Sequence, residues 1–173
     1  MRTTVGIEEL ESKLSLLIGK PVWSARVPLG SDALIELGEK IEIPPEKMYG
    51  RGAPYKGDMR YQGELTLASS CAWRIELEGA GIVSGSGQLE DETMRSGLTQ
   101  LVGQTVAEVS VNSFLDLLMV FSGGLRLRLF CDQRTDDLDY DSCYTLFVRA
   151  EGSYSVGNGV ITLERDAAEA SSP

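Results

Sequence analysis

Slid by 84 positions, residues 10–43 lie over residues 94–127, and eight of the 34 paired positions are identical. They are Ser12/Ser96, Leu14/Leu98, Leu17/Leu101, Gly19/Gly103, Val22/Val106, Val27/Val111, Asp32/Asp116 and Leu34/Leu118. Average residue usage gives about two by chance at this length. A chain that repeats itself builds two similar units and packs them together, so the repeat limits the available folds before any single motif does.

The overlay preserves a physical pattern. Leu10, Leu14 and Leu17 recur at i, i+4 and i+7, and so do Met94, Leu98 and Leu101, which predicts one apolar helical stripe in each copy. Gly19 and Gly103 then stop the helices. Alternation follows in both copies, with Trp23, Ala25 and Val27 in the first and Ala107, Val109 and Val111 in the second. Residues 33–37 and 115–121 read as the next strands, and the latter is apolar on both faces, as a central strand is. Ser122-Gly123-Gly124 reads as a hairpin turn into the alternating run 125–129, whose counterpart is Lys40-Ile41-Glu42-Ile43. A second offset, 73, lays Trp73, Ile75 and Leu77 over Leu146, Val148 and Ala150 and predicts a closing hairpin in each half.

The expected fold is therefore α+β, mainly antiparallel β, an internal duplication of a helix-plus-meander unit with approximate twofold symmetry. It forms one domain over 1–173 from repeats at about 7–89 and 90–164, with a flexible tail at 165–173. Trp23, Leu34, Leu37, Trp73, Ile75, Leu98, Leu101, Val109, Phe121, Leu127 and Val148 are the predicted core.

Composition narrows the chemistry. There is no histidine, which removes Ser-His-Asp and Cys-His catalysis and the usual base near neutral pH. Cys71, Cys131 and Cys143 are an odd number without CxxC spacing, so neither a disulfide framework nor a zinc site is indicated, and they read as buried small hydrophobes. A net charge of -10 repels a phosphate backbone, so nucleic acid is not an expected ligand. The first residues lack the order of a signal peptide and the longest apolar run is too short for a bilayer, so the expectation is a cytoplasmic protein with no membrane association. No cofactor and no metal is expected. Asp32 and Asp116, paired by the repeat, read as turn residues rather than a catalytic carboxylate pair, and the glycines of 79–87 and 157–159 as tight hairpins.

The two copies differ most in their central loops. Residues 44–63 carry Lys47, Arg51, Lys56 and Arg60 with Tyr49, Tyr55 and Tyr61, whereas 132–141 carry Asp132, Asp136, Asp137, Asp139 and Asp141 against Arg134. Asp137-x-Asp139-x-Asp141 begins like a calcium loop, but Ser142 and Val148 stand where that loop needs glycine and glutamate. Tyrosine and arginine combine contact area with directional hydrogen bonds, which makes Tyr49, Arg51, Tyr55, Lys56 and Arg60 binding candidates, with Asp136, Asp137 and Asp139 as an acidic counterpart. Acidity is one-sided: residues 1–89 hold 10 Lys+Arg against 12 Asp+Glu, and the remainder 6 against 14.

The stretch Leu101-Val102-Gly103-x-x-Val106, followed by Asp116-Leu117-x-x-x-Phe121-x-x-Gly124-x-x-Leu127, resembles small uncharacterised bacterial proteins, some of which look like immunity proteins of polymorphic toxin systems. The resemblance covers roughly residues 98–164 and rests on apolar and turn positions, so it speaks to fold and carries over no functional residue. Together with the acidity and the absence of histidine, the expectation is a non-enzymatic protein-binding module with an immunity-type role that neutralises a basic partner protein, since complementary charge speeds encounter. The alternative is a small-molecule binder with its pocket at the seam between the repeats, which an apolar cleft there would favour. Pairing of the basic loop with the acidic loop, either within one chain or across a symmetric homodimer, competes with an outside partner.

Overall fold

A computed structural model describes residues 2–43, 60–87, 91–131 and 142–165. The chain is α+β with mainly antiparallel strands in two sheets and two short helices. In order it runs β1 (Arg2–Val5), α1 (Ile7–Leu14), β2 (Val22–Arg26), β3 (Ala33–Glu42), β4 (Tyr61–Ser69), β5 (Ala72–Leu77), β6 (Gly81–Gly85), α2 (Asp91–Thr99), β7 (Val106–Val111), β8 (Leu117–Phe121), β9 (Leu125–Phe130), β10 (Tyr144–Val148), β11 (Gly152–Gly157) and β12 (Val160–Glu164). The seven-stranded sheet has the order β1-β12-β11-β10-β4-β3-β2 and the five-stranded sheet β6-β5-β9-β8-β7.

Each sheet takes strands from both halves of the chain. The meander β2-β3-β4 continues into β10-β11-β12, with Leu146 opposite Leu67, while the meander β7-β8-β9 receives the hairpin β5-β6, with Trp73 opposite Leu129. The sheets meet where the turns after α1 and α2 cross. There Gly19 N–H donates to Val106 O at 2.8 Å and Gly103 N–H to Val22 O at 2.8 Å. Val22 N–H donates to Gln104 O at 2.9 Å, Val106 N–H to Lys20 O at 3.1 Å, and Pro21 stands opposite Thr105.

The helical stripes lie where their spacing put them: Leu10, Leu14, Leu17, Met94, Leu98 and Leu101 are all buried. Gly19 and Gly103, at φ +81° and +85°, reverse the chain after each helix in a conformation that glycine adopts at no steric cost. Between the sheets Ile35, Leu37, Leu67, Trp73, Ile75, Met119, Phe121, Leu127 and Leu146 form the core. Helix α1 packs near β7, and α2 against β2 and β6.

Three predicted core residues, Trp23, Leu34 and Val109, are only half-buried. The register of β2 on β3 shifts between Val22 and Ser24, so Val22 and Ala25 face inward and Trp23 turns aside. Leu34 sits on the outer face of β3 beside Ala68, and a matching shift between Val106 and Glu108 buries Val106 in place of its neighbours. The run 40–43 is not a separate third strand either. Gly38 bends the chain without turning it, β3 runs on to Glu42, and β4 is the third member of that meander.

The outer faces differ in chemistry. On the seven-stranded sheet Glu36 is buried on β3, where its carboxylate accepts Gly63 N–H at 2.9 Å and Thr66 Oγ1–H at 2.6 Å beneath Arg26. Gly63 is required there because a side chain would run into the backbone of Leu37 and Leu65. On the five-stranded sheet Arg74 and Arg128 both pair with Glu76, and Arg126 pairs with Glu78.

Candidate functional site

The end of β3 and the start of β4 bring together a cluster of aromatic and charged side chains at the base of segment 44–59. Lys40 lies opposite Gly63, and its ammonium stands 5.0 Å from the Trp23 ring centroid and 4.7 Å from that of Tyr61. A cation between two ring faces is held by their negative quadrupoles. Beside it Glu64 takes Lys20 Nζ on both carboxylate oxygens at 2.8 Å and Glu39 N–H at 3.3 Å. The Lys20 hydrogen bond holds the Glu64 carboxyl below its ordinary range. Arg60 closes the rim on Glu42 at 2.6 Å.

These residues border an open depression of about 580 Å³ lined by Glu39, Lys40, Ile41, Glu42 and Glu64 from β3 and β4 and by Arg149 and Ala150 from the β10–β11 turn. The backbone ties its two sides, since Arg149 N–H donates to Glu64 O at 3.2 Å. Trp23 Nε1 is buried and has no hydrogen-bond partner among the described residues. The depression thus spans residues from both halves of the chain, and five of its seven lining residues carry charged side chains.

Of the binding candidates read from the sequence, Arg60 is at this site, while Tyr49, Arg51, Tyr55, Lys56, Asp136, Asp137 and Asp139 lie outside the described residues. Trp23, Lys40 and Glu64 were missed. Trp23 read as core, and the only signal against that was the tryptophan's place next to a strand entrance, where a shift of one residue changes its face.

The other candidates are structural. Asp116 accepts Cys131 N–H at 2.8 Å and Asn112 Nδ2–H at 3.0 Å, and no hydrogen bond joins it to Asp32, whose carboxyl is pushed up by burial. Cys71 and Cys143 are buried and Cys131 is half-buried; a hydrogen bond with Cys143, then burial, pushes the Cys131 thiol up, and a protonated thiol is a poor nucleophile. Gly79 and Gly81 flank the β5–β6 turn, and Gly159 lies in the β11–β12 turn. Among the described residues no group of three or more Cys, Asp or Glu is placed to hold a metal ion, and no helix is long and apolar enough to cross a membrane. Comparison with protein-family models, curated proteins and solved structures finds no match.

Proposed function

We propose that this chain is a non-enzymatic, cytoplasmic protein-binding module of the immunity type, which neutralises a basic partner through the face around Lys40. The observation that carries the reading is the exposed Lys40 held between the half-buried Trp23 and Tyr61 rings with Arg60 at the rim, because tryptophan, tyrosine and arginine are the residue types that anchor protein interfaces. Glu42 and Glu64 are already paired with Arg60 and Lys20 there, so the attraction for a basic surface comes from the chain's net charge of -10. The small-molecule reading has the position of the depression in its favour, since both halves of the chain line it. Its charged walls favour the protein reading, because small-molecule pockets are mostly apolar.

The same proposal takes the chain as an internal duplication with an approximate twofold. Its support is reciprocity. Exchanging each residue for its counterpart 84 positions away turns the Gly19–Val106 contact into Gly103–Val22, and Pro21 faces its own counterpart Thr105. Trp73 Nε1 donates to Ser31 O at 2.6 Å as Tyr144 OH donates to Leu115 O at 3.0 Å. The hairpins correspond at a spacing of 71 positions, two fewer than the sequence overlay, with Leu77 facing Gly81 as Val148 faces Gly152.

The test is affinity capture by the full chain and by Trp23→Ala/Tyr61→Ala. A basic protein retained by wild type, released by salt and lost with the variant is expected. Equal capture by the variant, or an acidic ligand, overturns the reading.

A further inference from the structure

We propose that the outer face of the five-stranded sheet is the interface of a symmetric homodimer, with β8 of one copy lying along β8 of the other. The starting point is a mismatch between sequence and packing. Residues 117–121, Leu-Leu-Met-Val-Phe, are apolar on both faces, the pattern of a strand covered on both sides. The core covers Leu117, Met119 and Phe121, while Leu118 and Val120 are left half-exposed on the outer face.

The rows across this face are self-complementary. In one row Ser110, Leu118 and Arg128 stand side by side on β7, β8 and β9; in the next stand Glu108, Val120 and Arg126. Strands are about 4.8 Å apart, so Arg126 and Glu108 are separated by about 10 Å across Val120 and do not pair within the chain. Glu108 makes no ion pair among the described residues. A twofold axis parallel to β8 places β9 of one copy over β7 of the other. Leu118 and Val120 then meet their own images, each Arg126 faces the second copy's Glu108, and each Arg128 faces Ser110. Two sheets facing one another in this way leave about 10 Å between backbones, the space their apolar side chains fill.

Charge permits self-association through this face. Two bodies of net charge -10 repel, yet here the arginines and glutamates cancel. A second copy is therefore the occupant the face fits, and an isologous contact needs only this one patch. The proposal does not depend on the Lys40 site, which lies on the other sheet.

The experiment is sedimentation of the full chain over a concentration series, for wild type, Glu108→Arg, Arg126→Glu and the double variant. Wild type should associate reversibly to twice the monomer mass. Each single variant sets like charges opposite each other across the axis, so its association constant should fall at least about tenfold, and the charge-swapped double should regain it. A wild type that stays monomeric throughout overturns the proposal. So does association that both single variants leave unchanged, or a loss that the double variant fails to restore.

Discussion

The phenol of Tyr144 donates to the carbonyl oxygen of Leu115 at 3.0 Å, and the Cys131 thiol reaches the same oxygen at 3.3 Å. Tyr144→Phe therefore leaves the carbonyl one partner and should cost about 1 kcal/mol. Cys131→Ala/Tyr144→Phe strips a buried acceptor bare, so its loss in a urea titration should exceed the sum of the singles. Strict additivity would mean that water replaces the lost donors.

Glu36 is the second test of buried polarity. Its removal strands the Gly63 and Thr66 donors and leaves Arg26, 33% exposed, without its carboxylate. Glu36→Ala should cost about 2–4 kcal/mol, below a fully buried pair because Arg26 still reaches water. Glu36→Gln keeps an acceptor for both donors and should cost less.

Leu101 lies at the inner end of the second helical stripe and is 0% exposed. Leu101→Ala should cost about 2–5 kcal/mol by chemical denaturation, the range for truncating a buried leucine. A loss under about 1 kcal/mol would put that stripe in solvent.

Lys40→Ala removes the cation from between the Trp23 and Tyr61 rings. The expected stability loss is about 0.5–1 kcal/mol, with tryptophan emission shifting to the red as Trp23 meets water. The other tryptophan, Trp73, is 2% exposed and should not contribute to that shift.

Acid should destabilise the fold through two carboxylates. Lys20 lowers Glu64 from its ordinary 4.5; for Glu76 burial acts upward, but hydrogen bonds from Arg128 and Arg74 outweigh it and the net shift is down. Groups lowered on folding contribute stability above the unfolded value and lose it as pH falls through the folded one. Asp32 has the opposite sign: burial raises it above 3.8, so protonation on acidification relieves a cost of folding. The unfolding midpoint should fall between about pH 5 and about pH 3, less in Glu64→Gln or Glu76→Gln and more in Asp32→Asn.

The elements set by neighbouring residues were legible in the sequence. Apolar residues three and four apart gave both helices, Ser122-Gly123-Gly124 gave the β8–β9 turn, and Leu125-Arg126-Leu127-Arg128-Leu129 gave a strand with its arginines outward. What depended on distant pairing was not. A single shift near Trp23 reversed its side, and Gly38 without a second glycine let β3 run on where a turn was expected. The Lys40 site joins Lys20, Trp23 and Tyr61 from separate segments, so local spacing carried no trace of it beyond Arg60 and Tyr61 in the basic, tyrosine-rich stretch.

The crossing of hairpins between sheets also fixes an order of events during synthesis. Strand β4 gains its second neighbour only when β10 emerges, β5 waits for β9, and β1, made first, pairs with β12, made last. Pairings this distant pay their loop-closure entropy before any contact repays it, so refolding belongs with slow, topologically complex β proteins. A ribosome that has released only the first half presents β4 and β5 with unpaired edges, and a neighbouring nascent chain offers those edges the same strands that its own second half will later supply.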